Sequence, residues 1–166
     1  SKWDLPTRYH RTVLTQGIGE SYLSKIVHDW EEDLAQNGVS IAYLPAPGQV
    51  RVRLSAVSTD EEAAQRRVDA AMEAFLNLAG EHVVADGDTS VAAALVELLT
   101  QREETLTTAE SCTGGAMAAT VTSVAGSSAV FEGAVVAYAN AVKVNALGVD
   151  ESDIERDGAV SESVVT

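Results

Sequence analysis

Leu106-Thr107-Thr108-Ala109-Glu110-Ser111-Cys112-Thr113-Gly114-Gly115 (residues 106–115) is the stretch on which the fold reading turns. Its first half reads as extended chain and its end as a glycine turn. Ala116 to Val124 then follows with Ala-rich, helix-compatible spacing. A strand that turns straight into a helix marks an α/β domain. The same turn carries a chemical possibility. Ser111 lies where the backbone N–H groups of a helix start lack partners within the helix, and such groups hold a phosphate or steady an oxyanion. Downstream, Tyr138-Ala139-Asn140-Ala141-Val142-Lys143 supplies a phenol and an amine able to activate a Ser hydroxyl.

Further along, Gly133-Ala134-Val135-Val136-Ala137-Tyr138 reads as a second buried strand, with short helices near Ala141–Leu147 and Glu151–Asp157. An Ala- and Leu-rich helix is expected from Ser90 to Arg102. Before it the pattern changes. Residues 9–15 are β-compatible and run into Gln16-Gly17-Ile18-Gly19, and Tyr22, Leu23, Ile26, Val27, Trp30 and Leu34 then follow helical spacing up to Asn37-Gly38. Val39–Leu44 and Gln49–Ala56 are strands around a Pro45-Ala46-Pro47-Gly48 turn, the second with polar/apolar alternation. Thr59 or Asp60 caps a long helix through Leu78, Gly80 closes it, and His82–Ala85 is a short strand. The order β-α-β-β-α-β predicts a small α/β sandwich with its helices on one face. Asp86-Gly87-Asp88 reads as a boundary, dividing the chain into 1–87 and 88–166.

Composition sets limits. The chain has 166 residues, of which 46% are hydrophobic and 22% charged, an ordinary globular balance. Eleven basic against 25 acidic residues give a formal charge of −14, which disfavours binding to nucleic acid or to acidic membranes. Cys112 is the only cysteine, so neither an intrachain disulfide nor a cysteine zinc cluster can form. His10, His28 and His82 lack ligand spacing, and no metal is expected. No apolar run approaches transmembrane length, and no secretory h-region opens the chain, which makes a soluble, cytoplasmic protein the expectation. The first residue is not Met and the last lie in an apparent helix start, so the chain is expected to be a piece of a longer protein.

Each chemical reading has a bland counterpart. Ser111 in such a turn is often a simple N-cap, Lys143 a solvated helix residue and Tyr138 a strand-end aromatic. No His follows His82, so a Ser-His-Asp set is unavailable in the second half, and Lys143 is the base that remains. A Lys desolvated among apolar groups and hydrogen-bond acceptors gains access to its neutral amine form. Gly114-Gly115 allows close backbone approach, Thr113 adds a hydroxyl, and Gly126-Ser127-Ser128 is a second polar loop or simply a turn. Cys112 is better read as a small structural residue than as a nucleophile. A P-loop is excluded because no Gly-Lys-Ser/Thr follows. Tyr138 and Lys143 are separated by four residues rather than three, and no G-x-G-x-x-G is present, which removes a short-chain dehydrogenase. Gly17-Ile18-Gly19 has one residue between its glycines, unlike the G-x-x-G loop of an RNA-clamping KH domain, and is read as a tight turn. Arg51 and Arg53 share a strand face and read as solvated.

Ala109-Glu110-Ser111-Cys112-Thr113-Gly114-Gly115, Ala125-Gly126-Ser127-Ser128 and Tyr138-Ala139-Asn140-Ala141-Val142-Lys143 together resemble the CinA C-terminal family, named for competence- and damage-inducible proteins. Val149 and Asp157-Gly158-Ala159-Val160-Ser161 fit the same pattern. Gly17-Ile18-Gly19-Glu20-Ser21 and Pro47–Leu54 are similar to the KH-like middle region of long CinA proteins. The resemblance implies a KH-like domain over 1–87 and the first part of an amidase domain over 88–166. It implies hydrolysis of nicotinamide mononucleotide to the nicotinate mononucleotide and ammonia, without cofactor. By position, Ser111 becomes the nucleophile and Tyr138 and Lys143 its assistants. Backbone N–H groups from Thr113 to Gly115 become oxyanion or phosphate donors, and Thr113, Gly114, Gly115, Ser127 and Ser128 substrate contacts. Because the family's amidase domain continues further, the 166-residue chain is expected to be nearly inactive alone. The alternatives are a non-catalytic scaffold or homo-oligomerisation module and, more weakly, an RNA-binding module.

Overall fold

A computed structural model describes residues 5–166. The chain is mixed α/β and divides into two compact units, the first running to Ala94 and the second from Leu95 to Thr166.

In the first unit, β1 (Thr7–Gln16), β2 (Val39–Ala46), β3 (Gln49–Ser58) and β4 (Val83–Asp86) form an antiparallel sheet in the order β2-β3-β1-β4. The alternation in β3 decides its faces: Val50, Val52, Leu54 and Ala56 are buried, while Arg51, Arg53 and Ser55 lie on the other side. Against the apolar face pack α1 (Glu20–Ile26), α2 (His28–Leu34) and α3 (Glu61–Ala79), through Leu23, Val27, Leu34, Val68, Met72 and Phe75. Asp60 caps α3, its carboxylate accepting from the Ala63 N–H at 3.1 Å. Ile18 is buried in this core, so Gly17-Ile18-Gly19 is a turn anchored by its middle side chain.

Two sequence expectations shift. The single helix expected before Asn37-Gly38 is two, bent at Val27 (φ −104°, ψ 9°). Lys25 in the last turn of α1 and Asp29 and Glu31 in the first turn of α2 each suit a helix end by charge, which favours ending one helix and starting another there. The strand expected to stop at Leu44 continues through Ala46. Pro45 is tolerated because β2 is an edge strand, and the turn narrows to Pro47-Gly48.

Arg51 and Arg53 are not simply solvated. Both pair with Asp88, at 3.3 and 3.1 Å, and Arg51 also donates to the Thr89 carbonyl at 3.0 Å. Arg11 pairs with Asp86 and, at 3.5 Å, with Asp69. These cations hold residues 86–89 on the first unit, and the division between units falls later, inside α4 (Val91–Arg102).

The second unit is a β-α-β crossover. β5 (Leu106–Glu110) pairs in parallel with β6 (Phe131–Val136), and α5 (Ala116–Thr122) connects them. Val96, Val121 and Val130 form its buried core, with Leu99, Leu106 and Phe131 packed around them. β6 starts and ends two residues earlier than the apolar run suggests. After it come α6 (Asn140–Leu147), α7 (Glu151–Asp157) and α8 (Glu162–Val165). No helix among the described residues is long and apolar enough to cross a membrane.

Candidate active site

Parallel pairing of β5 and β6 sends both strands toward the same end, where their C-terminal loops meet. One loop carries Ser111. The other carries Ala137 and Tyr138 and leads into α6, whose second turn bears Lys143. A long helical side chain points back toward its own N-terminus, which brings the Lys143 amine over the Ala137-Tyr138 peptide. Lys143 is 6% exposed. Its Nζ donates to the Ala137 carbonyl at 2.8 Å and the Tyr138 carbonyl at 3.0 Å, and lies 3.3 Å from the Ser111 Oγ. No carboxylate among the described residues forms an ion pair with it.

That geometry suits two protonation states. A charged ammonium has three N–H groups for three acceptors. A neutral amine keeps two for the carbonyls and turns its lone pair toward the Ser111 hydroxyl, the arrangement a general base requires. Ser111 and Lys143 are therefore brought together from 32 residues apart. Tyr138 lies beside them through its main chain. Its side chain is 74% exposed, so the phenol faces outward while the carbonyl holds the amine.

The turn after Ser111 is built by Gly114 (φ +60°) and Gly115 (φ +96°), both in the left-handed region. At Gly115 a Cβ would also crowd Val136 Cγ2 at 3.3 Å. The N–H groups here are not all free, which corrects the expectation of open donors from Thr113 to Gly115. Gly114 donates to the Ser111 carbonyl at 3.0 Å, and Ala116 to the Thr113 carbonyl at 3.0 Å. Gly115 and Met117 donate to Glu110 Oε2 at 3.1 and 3.0 Å, and Ala118 to Glu110 Oε1 at 2.8 Å. Cys112 and Thr113 are exposed, and their N–H groups have no protein partner among the described residues.

Glu110 was not singled out from the sequence, yet it is 3% exposed at the heart of this turn. Burial alone would raise its carboxyl. The Ala118 N–H, the Thr113 hydroxyl, the Met117 N–H and the Thr108 hydroxyl outweigh that and hold it down to about 2. A readable signal existed: in β5 the inward positions are Leu106, Thr108 and Glu110, so a carboxylate stands where alternation calls for a core residue.

Ser127 and Ser128 lie elsewhere. They precede β6, at the strands' N-terminal end, where the Leu106 N–H meets the Val130 carbonyl. About four strand steps, roughly 13 Å, separate that end from Ser111. Within one chain the structure does not bring this loop to the Ser111–Lys143 pair.

The CinA C-terminal domain family matches residues 88–166, and the damage-inducible protein CinA KH domain family matches residues 10–85. The chain belongs to the CinA family. A CinA-like protein of Flavobacterium psychrophilum is 39% identical over 99% of this chain, the match covering 39% of that protein. One of Salinibacter ruber is 43% identical over 93% of the chain and 37% of its own length. The chain thus spans under two fifths of the length of these CinA-like relatives. The crystal structure of a competence/damage inducible protein, CihA, from Agrobacterium tumefaciens is 40% identical, covers 44% of each chain and has a TM-score of 0.43.

Proposed function

We propose that the second unit is the catalytic part of an amidase acting on nicotinamide mononucleotide, with Ser111 as nucleophile and Lys143 as its base. The observation that carries this reading is the 3.3 Å contact between Lys143 Nζ and Ser111 Oγ, with the amine otherwise tied to two carbonyls. Such a base is needed because a free Ser hydroxyl is a poor nucleophile near neutral pH.

The chemistry follows the geometry. Ser111 Oγ attacks the amide carbonyl carbon as its proton passes to Lys143, and a tetrahedral oxyanion forms. The Cys112 and Thr113 N–H groups, the donors still open in the turn, receive that oxyanion. Lys143 returns the proton to the departing nitrogen, and ammonia leaves an ester on Ser111. Water, deprotonated by Lys143, then attacks the ester, releasing the carboxylate and restoring the hydroxyl. Tyr138 supports the site by its carbonyl, and its outward phenol is offered to the leaving group or substrate ring. No step calls for a metal or cofactor.

The domain reading is a KH-like unit over 1–87 followed by an amidase-type unit over 88–166. Among the described residues the second unit has a sheet of two parallel strands, and parallel sheets ordinarily gain stability from more strands and covered faces. We therefore expect hydrolysis by this chain alone to be slow, and the longer CinA-like proteins, or a second copy, to supply the remaining enclosure. Ammonia release from nicotinamide mononucleotide tests the reading, in this chain and at the matching position of a longer relative. Release that vanishes with Ser111→Ala supports it. Release that survives the substitution removes Ser111 as the nucleophile.

A further inference from the structure

We infer that Glu110 is the positioning residue of the Ser111 site: its buried carboxylate clamps the first turn of α5 and thereby holds the Ser111–Gly115 loop against Lys143. The inference rests on the reading of Ser111 as nucleophile and adds to it a residue that touches no reacting atom. Three observations meet here. Gly115, the residue before α5, has no side chain to cap the helix, and Glu110 does so from the neighbouring strand. Its two oxygens accept from three backbone N–H groups and from the Thr108 hydroxyl, a donor set that a carboxylate fills and an amide does not. It is also the residue immediately before Ser111, at the last position of β5, where the ladder still grips its carbonyl through the Ala137 N–H at 2.7 Å.

One residue therefore ties together β5, the turn, α5 and, through Ala137, the segment whose carbonyls hold Lys143. The loop between Ser111 and Gly115 has its two ends fixed by the same residue, its carbonyl held in the ladder at the Ser111 end and its carboxylate holding Gly115 at the other, and left-handed Gly114 and Gly115 take up the curvature. A second consequence is selective. The seat that a helix start offers to an anion is filled from within by Glu110, so the phosphate of a mononucleotide is held elsewhere than at α5. The low carboxyl titration supports the clamp, because it reports donors that prefer the anion.

A fluorophosphonate probe tests positioning without needing amide turnover. Ser111 Oγ forms a bond to phosphorus as the P–F bond breaks, fluoride leaves, and Lys143 takes the Ser proton. Intact mass reads the adduct, and Ser111→Ala is the control. In the 166-residue chain, Glu110→Gln is expected to lower the maximal labelling rate on the order of 10–100-fold, with half-saturation unchanged within about twofold. Glu110→Asp should recover part of the rate. An unchanged rate in Glu110→Gln, or a loss confined to half-saturation, overturns the inference.

A wild type that the probe labels neither in this chain nor at the matching Ser of a longer CinA-like protein sinks the nucleophile reading instead. The clamp is then judged by NMR of the Lys143 Nζ group and the Met117 and Ala118 amides. All three are expected to shift together in Glu110→Gln, and a Lys143 signal that stays in place overturns the clamp. Should that variant fail to fold, acid titration of the wild type decides. The Glu110 carboxyl carbon, the two amides and Lys143 Nζ should move in one step, and independent movement overturns it.

Discussion

The two units of this chain solve different problems. Among the described residues, the first buries fifteen apolar side chains in one continuous core between a four-stranded antiparallel sheet and three helices. The core of the second gathers three, beside a two-stranded parallel pair, yet it is the unit that also buries a lysine and a carboxylate. Apolar burial near 25 cal/mol per Å² stabilises a unit without specifying chemistry. A buried amine held by two carbonyls costs desolvation and makes sense where its chemistry is used. The comparison separates a unit held by a large apolar core from one that buries the Lys143–Ser111 contact and the Glu110 carboxylate.

The sharpest way to break that comparison is to remove the pair. Lys143→Met should reduce ammonia release from nicotinamide mononucleotide by about 10²–10⁴-fold, measured in this chain and at the matching position of a longer CinA-like protein. Retained activity would return Lys143 to a structural role. Next in size, Phe75→Ala in the first unit should cost about 3–5 kcal/mol in urea unfolding, because Phe75 is fully buried and packs 5.7 Å from the Trp30 ring. A loss below ~1 kcal/mol would mean that this core repacks.

Acid should act on the second unit through Glu110. Its folded carboxyl titrates near 2, below the ordinary 4.5, so its stabilisation is fully present above about pH 4.5. The contribution is lost as pH falls from there through about 2. Protection of the Met117 and Ala118 amides, taken as the exchange rate relative to that of unfolded chain at the same pH, should therefore fall over that window in the wild type. In Glu110→Gln it should already be low at neutral pH, and an identical protection profile in the two proteins would deny the carboxylate its role. The smallest effect concerns a cap: Asp60→Ala should destabilise α3 by about 1 kcal/mol, read as a lowered Tm.

Much of the fold was legible because its signals are local. Alternation in Gln49–Ser58 marked the sheet face, helical spacing in Glu61–Ala79 marked the packed stripe, and the polar turn after β5 marked the strand-to-helix junction. Boundaries slipped where a local signal misled. Val135 to Tyr138 looks apolar throughout, but β6 ends at Val136, because the Tyr138 carbonyl is turned to Lys143 rather than to a ladder. The family resemblance groups Ser127 and Ser128 with the site, whereas parallel pairing puts them at the opposite end of the strands.

The sequence by itself determined the alternation of elements, the placement of Ser111 in a glycine turn, and the absence of any His in the second half to serve as its base. Those are properties of neighbours along the chain, fixed by side-chain period and backbone sterics. Only the tertiary structure decided that Lys143 meets Ser111, that Tyr138 contributes its carbonyl, and that Glu110 fills the α5 donors. These depend on strand direction and register, which place groups tens of residues apart within hydrogen-bond reach, and no periodicity within either segment encodes that distance.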